Sequence, residues 1–169
     1  MKQYNKYLMI IFTFNLLFGV DKAGTTAAKF LSIGVGSKAV GMGGSYTSIA
    51  DDATAMYWNP AGLSFHQTKE VYFNHSNWIA DISFDYSGIT IPIDNKSSLG
   101  FNITSVTMDE MEVTRYGNEN TGETFSAADF AFGSTYSMSL TDRFSVGING
   151  KYIQQSISNS HARGFALDL

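Results

Sequence analysis

The first residues that could bind a cofactor form a glycine-rich stretch at residues 34–39, with two acids, Asp51 and Asp52, downstream. The stretch reads Gly-Val-Gly-Ser-Lys-Ala and matches the dinucleotide-binding pattern G-x-G-x-x-A. That pattern binds a pyrophosphate only where a helix begins at the glycines inside a β-α-β unit. Further glycines within residues 41–44 fall where the helix should run, and the later sequence is typical of antiparallel strands. We therefore expect no dinucleotide site and no other cofactor.

A second set of residues could bind a metal or catalyse a reaction. The candidate metal ligands are three histidines and two acids, namely His66, His75, His161, Asp81 and Asp85. Their spacing matches no compact ligand set, and isolated histidines are more often polar surface groups. Serines, histidines and acids all occur, but no pattern groups a nucleophile with a base and an orienting acid. The sequence thus predicts no metal site, no catalytic residues and no enzyme.

The amino-acid composition limits which kinds of site and partner the protein can have. The chain has 169 residues, no Cys, 14% aromatic residues and a formal net charge of −4. Without cysteine, neither a disulfide framework nor a cysteine-based metal site can form. The mild negative charge and the absence of a basic run argue against a nucleic-acid partner.

The first residues are typical of a secretory signal peptide. Lys2 and Lys6 form a basic region, and residues 7–20 are an apolar run that contains Asn15. The run is 14 residues long, whereas a helix that spans a bilayer needs about 20. We therefore predict a signal peptide at residues 1–19 and an exported protein, with a retained membrane anchor as the alternative.

After residue 64 the sequence becomes a series of segments in which apolar and polar residues alternate, as in β-strands. The clearest segments lie at residues 97–107, 125–140 and 144–157. One face of these segments is apolar, and we predict that it contacts lipid through Phe101, Ile103, Phe130, Phe132, Tyr136, Val146, Ile148 and Tyr152. The opposite face carries small and polar residues, which suit a water-filled lumen.

Strand length and loop length favour a transmembrane barrel over a soluble antiparallel sheet, which alternation alone would also fit. The segments are about 10 residues or longer, whereas an ordinary strand has five or six. The connections at 94–96 and 141–143 are short, whereas residues 108–124 form a long polar connection. Short periplasmic turns and long external loops are the outer-membrane arrangement. Within residues 79–93 the alternation changes parity near Ser87, which predicts a β-bulge or, alternatively, a strand with both faces partly buried.

Residues 20–64 lie between the signal peptide and the strands and are not strand-like. Asp51 or Asp52 can cap a short helix at residues 53–58, and Pro60 ends it. The segment is too short and too rich in small residues to form its own core. We predict a small N-terminal hatch, or plug, that rests against the barrel interior. Its motif residues are Gly41, Gly43, Gly44, Asp51, Asp52, Asn59, Pro60, Ala61 and Gly62. We expect the Asn59 side chain to hydrogen-bond backbone groups locally, and Gly43 or Gly44 to pack where a side chain cannot fit.

The same motif carries a resemblance to a known family. The glycine-rich stretch at 34–44, Ala-Asp-Asp-Ala at 50–53 and Trp-Asn-Pro-Ala-Gly-Leu at 58–63 resemble the N-terminal signature of the PorV/PorQ family, within the FadL-like outer-membrane β-barrel proteins. Residues 122–129 and 140–147 also resemble strands of these barrels. The resemblance implies an all-β fold, an antiparallel transmembrane barrel of 14 strands with the hatch inside the lumen. Residues 65–169 would supply about six of them, so we expect the chain to be the N-terminal part of a longer protein.

Two functions follow from the resemblance, namely type IX protein secretion and passage of hydrophobic compounds across the outer membrane. The expected partners are outer-membrane lipid and either secreted proteins or hydrophobic small molecules. The alternatives are a structural porin, which would not need the hatch, and a barrel enzyme. One loop is acidic, through Asp109, Glu110, Glu112, Glu119 and Glu123. It is either a contact for a partner or cations or, more simply, a solvated loop.

Overall fold

The structure is a computed structural model that describes residues 27–117 and 121–169. The predicted signal peptide at residues 1–19 and Glu119 of the acidic loop lie outside these residues. No helix in the described ranges is long and apolar enough to cross a membrane.

The dominant element is an antiparallel sheet of six strands that follow one another in chain order. Its strands are β1 (Glu70–Asn77), β2 (Ile82–Pro92), β3 (Ser97–Met108), β6 (Ala127–Thr141), β7 (Phe144–Ile157) and β8 (Ser160–Asp168). Between β3 and β6, the two short strands β4 (Met111–Glu112) and β5 (Thr124–Phe125) pair with each other in the long connection. The predicted all-β antiparallel fold is therefore confirmed, and the six long strands agree with the predicted number.

Side-chain alternation in the strands agrees with the predicted faces. In β6, burial alternates from Asp129 to Ser137, so that odd-numbered residues face inward and Phe130, Phe132 and Tyr136 face outward. Phe132 pairs with Tyr152 of the neighbouring strand β7, and the Tyr152 ring contacts Phe165 of β8. All eight residues predicted for the apolar face lie on this outward face.

The predicted β-bulge at Ser87 is wrong. Strand β2 pairs with β1 and β3 in one continuous register, and the sheet's register shift lies between Ser139 and Thr141, beside the β6–β7 turn. The alternative, a strand with both faces partly buried, is what the structure has. Phe84 and Tyr86 face inward because Val35 of the N-terminal segment packs against them, and all three are buried.

The N-terminal segment folds against the inward face of the sheet. It contains two short α-helices, α1 (Ser37–Gly41) and α2 (Ala55–Trp58), and two 3₁₀ helices, Lys29–Ser32 and Pro60–Phe65. A third 3₁₀ helix, Ile79–Asp81, joins β1 to β2. Small side chains build the segment's core, whose buried members are Ala39, Tyr46, Ala50, Ala53, Ala55, Met56 and Leu63. The expectation that the segment forms no core of its own is therefore wrong: Tyr46 and Trp58 contact each other edge to face within it, and Tyr72 of β1 packs against the same cluster.

Candidate functional site: the interface between the N-terminal segment and the sheet

The turn at Asn59 is held by the asparagine side chain. Its Oδ1 accepts the N–H of Ala61 (3.2 Å), and its Nδ2 donates to the carbonyl oxygen of Thr47 (2.9 Å). Pro60 follows at the first position of the 3₁₀ helix, where its missing N–H costs nothing. Asn59 therefore both starts this helix and ties it to the preceding loop.

Gly62 lets this helix approach the preceding loop closely. A Cβ at this position would overlap the carbonyl oxygen of Ala50. Any larger residue would thus push the 3₁₀ helix away from the loop that ends at Ala50.

The same turn sits directly on strands β6 and β7. Ser137 Oγ donates to the carbonyl oxygen of Ala61 (3.0 Å), and Ser139 Oγ donates to Ser64 Oγ (2.9 Å). On the neighbouring strand, a Cβ at Gly147 would overlap the carbonyl carbon of Pro60 and lie 2.6 Å from its oxygen. The absence of a side chain at Gly147 therefore makes the room in which the turn rests.

The side chain and the carbonyl of one residue hold helix α2 against the inward face of the six-stranded sheet, called here the wall. Met56 is fully buried, and its side chain occupies the space that side chains at Gly88 and Gly100 would fill. Its carbonyl oxygen accepts a hydrogen bond from Asn149 Nδ2 (2.8 Å), and Asn149 is also fully buried. Two glycines on adjacent strands thus form a socket, and an amide on a third wall strand fixes the helix above it.

Asp51 and Asp52, the two acids predicted for the motif, hold together the loop that precedes α2, called here the hatch loop. Asp52 Oδ1 accepts the N–H of Thr54 (2.9 Å), just before α2, and its Oδ2 accepts from the Tyr46 hydroxyl (2.9 Å). Asp51 lies 3.3 Å from Lys38 Nζ, with both side chains largely exposed. Burial raises the pKa of the Tyr46 phenol above its usual value, so it stays protonated and donates to Asp52. This set positions the loop, and an exposed pair such as Lys38–Asp51 adds little stability.

Glu70 joins this loop to the start of β1. Its Oε2 accepts the N–H of Ala53 (3.0 Å) and lies 3.0 Å from His66 Nε2. His66 Nδ1 lies 3.0 Å from the carbonyl oxygen of Asp51. His66 therefore links the hatch loop to the first strand.

Of the other candidate ligands, only His75 and Asp85 lie together in the part of the chain that the structure describes, and Asp81 ends the 3₁₀ helix before β2. His75 and Asp85 face each other across β1 and β2 (2.7 Å) on the outward face, whereas His161 lies on β8 at the opposite edge of the sheet. The described ranges hold no group of three or more His, Asp or Glu residues with metal-ligand geometry.

The dinucleotide pattern has a different role from the one its spacing suggests. Helix α1 does begin directly after Gly36, but it is only five residues long, and a 3₁₀ helix rather than a strand precedes it. A phosphate-binding helix in a β-α-β unit needs that strand. The glycines at 34 and 36 instead flank the buried Val35 of the hatch.

We expected Gly43 or Gly44 to pack too tightly for a side chain. The tight glycine packing lies at other positions. A Cβ at Gly43 would meet nothing within 4 Å, and one at Gly44 would be 3.7 Å from Trp58, an ordinary contact. Both residues have positive φ (65° and 80°), so glycine serves the backbone conformation there. Gly41 likewise has open space around it, at the end of α1.

The residues that sequence reasoning missed are the wall's side of the interface, Gly88, Gly100, Gly147, Ser137 and Asn149. A signal was present, because an isolated glycine inside a strand often marks a close approach of another backbone. Three glycines stand on the inward positions of three different strands. The same period-two alternation that assigned the outward face could have grouped them.

The acidic loop is partly ordered by its own contacts. Arg115 lies 2.6 Å from Glu123, and Thr121 bonds the carbonyl of Val113 beside the β4–β5 pair. Met111 and Glu112 are exposed. In the described part of the loop, the acids thus face solvent or their own arginine.

An antiparallel sheet with an apolar outward face, a polar inward face and a segment folded onto the latter defines an all-β protein with the sidedness of an outer-membrane barrel wall. The chain belongs to the family of the type IX secretion system protein PorV, whose sequence profile matches residues 20–166. The predicted resemblance to the PorV/PorQ family is thereby confirmed. Family membership supports a part in type IX secretion at the outer membrane. No curated protein matches the chain significantly.

Proposed function

We propose that this chain forms part of the wall of an outer-membrane barrel whose lumen is closed by residues 27–65, called here the hatch, and that the barrel serves type IX secretion and does not conduct hydrophobic compounds. The observation that carries the proposal is the polar inward wall with the hatch seated on it.

The height of the outward apolar band supports a membrane position. On β6 the uncharged outward residues run from Phe130 to Leu140, which is about 34 Å along a strand and about 26 Å across a bilayer at the usual tilt of about 40°. Barrel walls carry an apolar band of about 25 Å. The pair His75–Asp85, which also faces outward, marks the upper limit of this band. Across the sheet, Asp85 pairs with Ser105, and Ser105 pairs with Phe130.

The polarity of the inward wall supports secretion over passage of hydrophobic compounds. A hydrophobic compound needs a continuous apolar path. The inward wall is apolar only at one end, through Phe84, Tyr86, Ala131 and Ile153, and beneath the rest of the hatch it presents hydroxyl and amide groups at Ser98, Asn102, Thr135, Ser137 and Asn149. Such a wall suits water and backbone groups. The remaining role for a closed, polar-lined barrel of this family is to present a surface to proteins.

Both unpaired sheet edges also fit a membrane barrel. Within residues 27–117 and 121–169, strands β1 and β8 each pair on one side only. In hydrocarbon, each edge N–H and C=O group left without a partner costs several kcal/mol. We therefore propose that both edges pair with further strands to close the wall.

The proposal is tested in cells of the source bacterium that lack the chain, that carry it, or that carry it without residues 27–65. We expect type IX substrates to fail to appear at the surface without the chain. Uptake of a long-chain fatty acid should be the same with and without it. A small antibiotic should enter faster when the hatch is deleted. Normal secretion without the chain, or fatty-acid uptake that depends on it, would refute the secretion role. Unchanged antibiotic entry with an assembled hatchless barrel would refute the closing role.

A further inference from the structure

Under helix α2, one row of inward positions crosses four strands. The pairing register aligns Thr90 of β2 with Gly100 of β3, Gly100 with Thr135 of β6, and Thr135 with Asn149 of β7. Thr90, Thr135 and Asn149 are fully buried. Met56 of the hatch occupies the middle of the row, above Gly100.

Among the described residues, polar atoms of this row have no hydrogen-bond partner. They are Thr90 Oγ1, Thr135 Oγ1 and Asn149 Oδ1, and the next two inward rows add Asn102 Nδ2 and Tyr86 Oη. A buried polar atom without a partner costs free energy that it recovers when it meets water. Seating the hatch therefore imposes a cost on the wall at the place where α2 covers it.

Direct contacts oppose this cost. In the described residues, five side chains of the sheet bond the hatch: Asn149 donates to the carbonyl of Met56, Ser137 to the carbonyl of Ala61 and Ser139 to the hydroxyl of Ser64, whereas Glu70 accepts the N–H of Ala53 and Gln155 accepts the N–H of Ala28. Apolar contacts of Phe30 and Val35 with the sheet add to these bonds. All the strand-to-strand hydrogen bonds lie within the sheet, so lifting the hatch breaks none of them.

We propose that the position of the hatch on the wall, called here the seat, is metastable, because the row of hydroxyl and amide groups without hydrogen-bond partners favours release of the hatch. Lifting α2 exposes the row to water while the wall stays folded, and the lumen opens. The inference rests on the proposed closing role of the hatch. It adds that the wall's chemistry sets how often the hatch opens.

Two hydroxyl deletions on the same strand provide the test, because they should act in opposite directions. Thr135→Val replaces an unpartnered hydroxyl with a methyl group of the same shape, so it removes the cost of the seat. Ser137→Ala, two residues away on the same face, removes a hydroxyl that bonds the hatch. Thr90→Val and Tyr86→Phe repeat the first design on strand β2.

The measurement uses the full-length protein in planar lipid bilayers, with hydrogen exchange at the α2 amides as the second readout. We expect Thr135→Val to reduce the frequency of conductance openings, and the exchange rate at α2, by about fivefold or more, and Ser137→Ala to raise both. The hatch deletion, which should conduct permanently, reports separately on the closing role.

Three results would overturn the inference. Faster α2 exchange in Thr135→Val would show that its hydroxyl stabilises the seat, through water. An unchanged exchange rate in both Thr135→Val and Thr90→Val would show that the row carries no bias. A deletion variant that conducts no more than the intact protein would refute the closing role, while the exchange rates would still decide whether the seat is metastable.

Discussion

Gly147 offers the sharpest perturbation of the interface between hatch and wall. It lies at an inward position of β7, and an added Cβ would overlap the carbonyl carbon of Pro60 and the nitrogen of Ala61. These are backbone atoms of a turn fixed at both ends, so no side-chain rotation can make the room. Gly147→Ala should therefore lift the Pro60 turn from the wall.

The cost follows from two contributions. Forcing a methyl group into a filled site costs about 1–3 kcal/mol. Lifting the turn also breaks the hydrogen bond from Ser137 to Ala61, worth about 1 kcal/mol. Together these weaken the seat by about 2–4 kcal/mol, which is a factor of about 30 or more in the population of the lifted hatch.

A matched control lies three residues along the same strand. Gly150 faces outward, and a Cβ there would meet nothing within 4 Å. Gly150→Ala makes the same chemical change in the same strand without touching the hatch, and alanine is intrinsically no worse than glycine in a strand. We expect it to leave the hatch unaffected.

The assay is protease cleavage and hydrogen exchange of the hatch in outer-membrane vesicles, with assembly of the wall followed by its heat-dependent mobility on gels. Gly147→Ala should expose residues 45–64 to protease while the wall still assembles. Equal protection of the hatch in the Gly147 and Gly150 variants would refute the packing described here. Loss of wall assembly in the Gly147 variant alone would show that the hatch is needed to fold the strands.

Further predictions concern the wall, a turn and the hatch motif. Phe132→Arg should impair membrane assembly by about 2–4 kcal/mol, because it places a charge on the outward face near mid-depth, whereas Thr135→Ser on the inward face should assemble normally, as gel mobility would show. The Asp94 carboxylate accepts backbone N–H groups of its own turn, and the bond from Lys96 is the chief cause that lowers its pKa. The contribution of Asp94 to the stability of the turn is therefore present above the usual pKa of 3.8 and is lost as the pH falls through the lower pKa of the folded chain. The protection factors of the turn amides, measured against the intrinsic exchange rate at each pH, should therefore fall in acid for the native chain, and an Asp94→Asn variant that shows the same fall would contradict this cause. Asn59→Ala removes two hydrogen bonds from the asparagine side chain to backbone groups and should loosen the hatch by about 1–3 kcal/mol, seen as faster exchange in residues 45–62 with the wall unchanged. Equal exchange would show that these bonds do not hold the turn.

The strands were predictable because their alternation is a local property of the sequence. Phe130, Phe132 and Tyr136 recur every second or fourth residue, and one apolar face against one polar face leaves a single choice of side. The same rule failed within β2. There Phe84 and Tyr86 face inward because the hatch supplies Val35 as an apolar partner, a contact between distant segments that no local pattern reports.

The hatch motif was predictable in its turn chemistry but not in its packing. The short helix predicted at 53–58 is present as α2 but begins only at Ala55, and its N-cap is Thr54 rather than the predicted Asp51 or Asp52. Asn59 makes the local hydrogen bonds that its position before a proline favours. The glycines at 43 and 44 were expected to pack tightly, yet only their backbone conformation requires glycine. Close packing depends on which strand lies opposite, and that is a property of the folded sheet.

The most direct test of the central claim, that the hatch lies on the inward wall of a membrane-embedded sheet, is a disulfide between Ser64→Cys and Ser139→Cys. The two hydroxyl oxygens lie 2.9 Å apart in the native chain, so the paired cysteines should oxidise spontaneously in intact cells and be recovered as one linked pair of peptides by mass spectrometry. Ser64→Cys with Leu140→Cys is the control, since Leu140 is the next residue but is exposed on the outward face. We predict a high yield for the first pair and essentially none for the second. Equal yields, or a linkage to Leu140 alone, would contradict the placement of the hatch.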